Sequence, residues 1–217
     1  MRNLLISSKN LPLEFEKSMY ADYDTERGDP DILEQIQDWK PSPSHPSLLL
    51  EGCPGLGKTL LACAALNEKH ARYRVTKVVD KQPLTVDEQT LTMMRQKRFP
   101  VYFIQLADWL GLQHRMFRLH DEMMRCDLEP TECLEIDQLL EDLMYKVELL
   151  VVDDVGKEHR TASGFADASF DLLVRTRHNR GLATIYTSNI PLEEWSDQYS
   201  DAMQNFISRS SLILEFR

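Results

Sequence analysis

Gly52-Cys53-Pro54-Gly55-Leu56-Gly57-Lys58-Thr59 is the stretch that decides how this chain folds. Its spacing is the G-x-x-x-x-G-K-[ST] of a phosphate-binding loop. Ahead of it, Ser47-Leu48-Leu49-Leu50-Glu51 is a short apolar run of strand character. Behind it, Leu60 to Ala71 is rich in Ala and Leu and reads as a helix. The motif needs that setting, because glycines let backbone N–H groups turn inward around a polyphosphate and the helix N-terminus adds partial positive charge. In such a loop Lys58 reaches the β- and γ-phosphates and the Thr59 hydroxyl ligates Mg²⁺. Gly52, Pro54, Gly55, Leu56, Gly57 and Leu60 complete the contact surface. The plainer alternative, a glycine-rich turn with a solvated lysine, is disfavoured by the flanking strand and helix. The chain is expected to bind a nucleoside triphosphate.

About a hundred residues on, Glu148-Leu149-Leu150-Val151-Val152-Asp153-Asp154 is an apolar run that ends in two carboxylates. A near-continuous hydrophobic strand suits the interior of a parallel sheet covered on both faces. Acids at its C-terminal end fall in the crevice where open α/β sheets bind ligands. Asp153 is then placed to hold Mg²⁺ through water, and Asp154 to orient or deprotonate a water that attacks the γ-phosphate. A turn beginning at two acids is the alternative. Gly181 to Asn189 is another buried-type strand with a polar tip, Thr187-Ser188-Asn189. The Asn189 amide can both donate and accept, which fits contact with phosphate and water together. A turn at Asn189-Ile190-Pro191 is compatible with that role.

These pieces, followed by Ile207-Ser208-Arg209-Ser210 and a last strand Leu212-Ile213-Leu214-Glu215-Phe216, resemble an AAA+ ATPase. Asp153-Asp154-Val155-Gly156-Lys157-Glu158 and the stretch from Leu173 through Asn189 are most similar to the DnaC/IstB branch of helicase loaders and transposition helper ATPases. The resemblance covers about residues 45–70 and 99–217. It implies a three-layer α/β fold with a five-stranded, mainly parallel sheet of order 5-1-4-3-2. The sequence departs from the family in stopping at Arg217, right after the last core strand, so no C-terminal helical lid is expected. The resemblance also implies that Asn189 senses the γ-phosphate and that Arg209 reaches a neighbouring subunit's site as an arginine finger. Arg177 is a second trans-acting candidate. An arginine presented in trans is worth ~10³–10⁵ in rate in comparable GTPases. The alternative for Arg209 is an exposed charge at a helix end. Asp154 stands where many AAA+ enzymes carry Glu, which leaves open a nucleotide switch with little turnover.

At 217 residues the chain has room for one sizeable core, here residues 46–217, preceded by an N-terminal linker over 1–45. No apolar run approaches a membrane span, and the first seven residues have too short an apolar core for a signal peptide. Cys53, Cys63, Cys126 and Cys133 show neither C-x-x-C pairing nor zinc spacing, so they read as reduced thiols in a cytoplasmic protein. The net charge of −10 argues against a general DNA-coating surface, so any nucleic-acid contact must be local. Candidate patches are Lys69, Arg72, Arg74 and Lys77; Arg95, Lys97 and Arg98; and Arg175, Arg177 and Arg180. A solvated charged face is the ordinary reading of each.

Pattern places a short helix over Asp31–Trp39, a strand over Phe99–Gln105, and amphipathic helices over Leu106–Arg125 and Glu132–Lys146. Met116, Leu119, Met123 and Met124 form a stripe that reads as core. Val75–Val79 reads as an extra hairpin arm and Val86–Lys97 as helical, while the resemblance to AAA+ ATPases implies an adenine contact around Ala21–Asp24. The chain is therefore expected to bind ATP and Mg²⁺, to hydrolyse ATP, and to self-assemble into a ring or helical oligomer on single-stranded DNA. Placement of a replicative helicase is the expected task. An IstB-like transposition role, a P-loop kinase and a nucleotide switch are the alternatives.

Overall fold

The computed structural model describes residues 9–79, 101–125, 131–157 and 164–217. Five strands form one parallel sheet: β1 (Ser47–Gly52), β2 (Val101–Gln105), β3 (Leu149–Val155), β4 (Ala183–Ser188) and β5 (Ser211–Phe216). Their order, β2-β3-β4-β1-β5, is the expected order read from the other edge. β1, which carries the phosphate loop, lies between β4 and β5, with Ser47 paired to Thr184 on one side and Ser211 on the other.

Alternation along the strands sends side chains into two separate cores. Leu48, Leu50, Phe103, Val151 and Ile185 pack on one face with α1 (Pro30–Asp38) and α2 (Lys58–Val79). Leu49, Ile104, Leu150, Val152 and Tyr186 pack on the other. That second face is covered by α3 (Leu106–Arg125), α4 (Thr131–Tyr145), α5 (Phe165–Asn179), α6 (Trp195–Gln198) and α7 (Asp201–Ser210). Burial on both faces is why the strands are continuous hydrophobic runs rather than alternating ones.

Local signals set the helix ends. The Asp29 side chain accepts the Asp31 N–H at 2.9 Å ahead of Pro30, and Ser200 accepts the Met203 N–H at 3.3 Å at the start of α7. Val75–Val79 continues α2 and does not form a hairpin arm. Residues 86–97, the strand residues Phe99 and Pro100, and the patch Arg95, Lys97 and Arg98 lie outside the described residues, as does Cys126. Met116 and Leu119 pack against the core, while the side chains of Met123 and Met124, the rest of that stripe, lie outside those described.

The N-terminal segment is bound to the core over much of its length. Phe103 on edge strand β2 donates its N–H to the Lys9 carbonyl at 2.9 Å. Asn67 on α2 donates to the Ser18 carbonyl at 2.9 Å. Tyr23, Ile32 and Ile36 are buried.

Candidate active site

Three strand ends meet at the head of α2. The loop between β1 and α2 turns on glycines at positive φ, 131° at Gly52, 82° at Gly55 and 86° at Gly57. At Gly52 a Cβ would lie 2.1 Å from the Phe216 carbonyl oxygen, so only glycine lets β5 close on the loop's root. At Gly57 a Cβ would come within 2.9 Å of the Tyr23 ring, which therefore lies against the loop. Tyr23 itself accepts the Asp29 N–H at 3.1 Å, so this buried member of the Ala21–Asp24 segment packs on the loop.

Lys58 is 5% exposed and donates from Nζ to the carbonyls of Gly52 and Cys53, each at 2.7 Å. Burial holds its ammonium below the usual lysine range, opposed by the charges of Cys53, Asp154 and Asp153. No carboxylate among the described residues forms an ion pair with it. A buried ammonium met only by carbonyls, at a helix N-terminus, fits a polyphosphate.

The carboxylates of β3 are close by. Asp153, 3% exposed, accepts two hydroxyl protons on Oδ1, from Thr59 at 2.9 Å and from Thr187 at 2.6 Å. Burial pushes its pKa up, and the two hydroxyl bonds pull it back. A buried carboxylate beside the loop threonine fits a hydrated Mg²⁺, which takes one or two carboxylates plus phosphate oxygens. No cluster of three or more His, Cys, Asp or Glu fit for a metal occurs among the described residues, and such a Mg²⁺ site needs none.

Between Val152 and Val155 the β3–β4 register slips, and Asp154 takes a φ of 59°. The irregularity breaks the alternation of the strand, so consecutive acids serve the same crevice. Asp154 donates its N–H to the Thr187 hydroxyl at 3.0 Å. Its Oδ1 takes the Asn189 Nδ2 at 3.1 Å and the Lys157 ammonium at 2.7 Å. Asp153, Asp154, Asn189, Lys58 and Thr59 are thus brought together, as their positions in the sequence required.

Two arginines part company. Arg209 is exposed in the last turn of α7, away from that cluster's bonds and free of ion pairs among the described residues. Arg177 is fully buried: Nε donates to Thr184 Oγ1 at 2.8 Å, Nη2 to the Ala183 carbonyl at 2.7 Å, and Nη1 to the Leu143 carbonyl. Burial drives its pKa down to about 10. It ties α5 to α4 and β4 and cannot reach a neighbour, so it is not a trans-acting residue.

The third basic patch dissolves with it. Arg175 is held by Asp171 at 2.7 Å and covers the Phe206 ring, while Arg180 covers Tyr145. Of the first patch only Lys69 has a described side chain.

Thr187, Lys157 and Glu51 were not singled out from the sequence, although the Thr187-Ser188-Asn189 tip carried a signal for the first. Lys157 falls in a loop without periodicity. Cys53 is exposed in the loop, whereas burial pushes the Cys63 thiol up to about 12.

No family model matches the chain, and no curated protein does. Solved structures do. A DNA replication initiation factor superposes with a TM-score of 0.64 at 16% identity, covering 93% of this chain and 50% of its own. The replication initiator DnaA bound to AMPPCP and single-stranded DNA gives 0.62 at 16% identity, over 93% of this chain and 50% of its own. The DnaC helicase loader gives 0.59 at 18% identity, over 95% of this chain and 100% of its own. The chain spans about half the length of the initiators and the whole of the loader. The likeness is one of fold: the chain shares the α/β architecture of these replication proteins.

Proposed function

We propose that this chain binds ATP with Mg²⁺, hydrolyses it, and uses the cycle to assemble on DNA and load or recruit a replication machine, best read as a replicative helicase. The observation that carries this reading is the meeting of Lys58, Thr59, Asp153, Asp154 and Asn189 at adjoining strand ends. Lys58 and the N–H groups at the head of α2 would hold the β- and γ-phosphates. Thr59 and Asp153 would hold Mg²⁺, which when bound spreads the phosphate charge. Asp154 orients or deprotonates the attacking water, and Asn189 fixes the Asp154 carboxylate while offering its amide to the γ-phosphate. Arg209, exposed and unengaged, is the side chain free to enter a neighbour's site.

The likeness to a helicase loader along its whole length supports the loading role, and the DnaA complex supports ATP and single-stranded DNA as ligands. With a net charge of −10, DNA contact must be local and gain from repetition along an assembly. A nucleotide switch with little turnover is favoured by one observation, the Lys157–Asp154 pair, which engages one of the two carboxylate oxygens that could act on water.

ATP turnover measured across protein concentrations, with and without single-stranded DNA, separates these readings. Specific activity that rises with concentration and DNA, and falls at least ~10³-fold in Arg209→Ala, is the expected result. Turnover indifferent to all three would refute the assembling ATPase.

A further inference from the structure

One buried acid has no task among the residues that would touch nucleotide. Glu51 is 4% exposed and stands one residue ahead of the phosphate loop, facing Ser188 on β4 and Glu215 on β5. Its Oε2 accepts the Leu192 N–H at 2.7 Å. Leu192 opens the 3-10 turn Leu192–Glu194, three residues past Asn189.

That turn is fastened on every side. Ser188 Oγ lies 3.0 Å from the Val155 carbonyl and 2.7 Å from the Ile190 carbonyl, and accepts the Ile190 N–H at 3.0 Å. Trp195 Nε1 donates to the Ile190 carbonyl at 3.3 Å. From α7, Gln204 Nε2 donates to the carbonyls of Leu192 at 2.9 Å and Glu193 at 3.1 Å. The last turn of α7 presents Arg209. One hydrogen-bonded unit, residues 188–194, therefore touches both the root of the phosphate loop and the helix of Arg209, and the two contacts meet at Leu192.

We propose that Glu51 and Gln204 are positioning residues that make this turn a link between the phosphate loop and α7, so that the engagement of Asn189 is passed on to Arg209. The inference rests on the ATPase reading above. A turn held by this many bonds moves as a body, and the Glu51 and Gln204 bonds, which meet at Leu192 on its N–H and its carbonyl, are where motion enters and leaves. Glu51 also makes the link sensitive to pH. Burial lifts its carboxyl to about 7, and the neighbouring Glu193 and Glu215 push the same way. Glu215 is itself paired to Arg217 at 2.7 Å. Above that pH the ionised carboxylate grips the Leu192 N–H more strongly than the neutral acid does.

The test uses the full chain with Glu51→Ala, Gln204→Ala and Glu51→Gln. It reads AMPPCP binding, ATP turnover against pH, and ATP-dependent assembly by sedimentation. The two alanine variants are expected to bind AMPPCP within about threefold of the native chain and to lose about tenfold in turnover, with assembly no longer following ATP. Glu51→Gln keeps an acceptor for the Leu192 N–H and restores most of the turnover, but its pH profile lacks the native inflection near 7. An inflection that survives in Glu51→Gln, or a Gln204→Ala chain that assembles and turns over as the native one does, overturns the link. If the native chain binds no AMPPCP, the ATPase reading fails and takes the link with it. If the native chain hydrolyses ATP and the variants match it, the link alone fails.

Discussion

Replacing Arg177 gives the sharpest check on the packing described above. Arg177→Ala removes the donors to the Leu143 and Ala183 carbonyls and the Thr184 hydroxyl. The hydroxyl can turn toward the Leu182 carbonyl, 3.5 Å away, so two buried carbonyls are left without their donors. At ~1–3 kcal/mol each that is ~4 kcal/mol. Loss of the buried stem adds ~2 kcal/mol of transfer and cavity energy. Against this stands the cost of burying the charge. A guanidinium held down at about 10 is disfavoured in the folded state by ~3 kcal/mol at neutral pH, and the variant no longer bears it. The net expectation for Arg177→Ala is a loss of ~3 kcal/mol. Arg177→Met refills the stem volume and should lose only ~1 kcal/mol.

Urea unfolding followed by the fluorescence of buried Trp109 and Trp195 measures both. The pH dependence has a definite sign. Between about 10 and the unfolded value the unfolded chain binds more protons, so the native chain gains stability as pH rises through that window and Arg177→Ala does not. An alanine variant that loses less than ~1 kcal/mol, yet poisons turnover in mixtures with the native chain, would refute the reasoning and return Arg177 to a subunit interface.

Two further outcomes follow from the loop. Gly52→Ala drives a Cβ into the Phe216 carbonyl and should cost ~3 kcal/mol or more, or yield insoluble protein, whereas Gly55→Ala, with open space around it, bears only ~1–2 kcal/mol of backbone strain. Equal melting temperatures for the two variants would contradict this. AMPPCP at about a hundred times its Kd should raise the melting temperature of the native chain by ~5–10 °C and leave Lys58→Met unmoved. A matching rise in the variant would remove Lys58 from the phosphate site.

The sheet was legible because its strands are apolar runs bounded by polar tips, and the site because its residues stand at those tips. What stayed hidden has specific causes. Val75-Thr76 and Val78-Val79 have strand propensity, yet no Gly or Pro interrupts the chain from Lys58 to Val79, so the helix propagates through them. Arg177 looked like part of a basic surface among Arg175 and Arg180. Its spacing carried the opposite signal: Phe170, Leu173, Val174 and Arg177 follow i, i+3, i+4, i+7, which sets the arginine on the apolar stripe of α5. Glu51 follows Leu48-Leu49-Leu50 in a strand covered on both faces, so its burial was implied, but its partner Leu192 is far away in sequence.

The place of β1 between β4 and β5 bears on how the protein is made. Its partners in the sheet start at Thr184 and Ser211, while Ser47 leaves the ribosome far earlier. At ~5–20 residues per second, the strand that roots the phosphate loop waits on the order of ten seconds or more before both neighbours exist. During that interval Leu48, Leu49 and Leu50 have only local contacts to cover them, and nothing yet holds Gly52 in its left-handed turn. The phosphate loop can therefore take its final form, and nucleotide can act as a folding ligand, only once β5 has emerged.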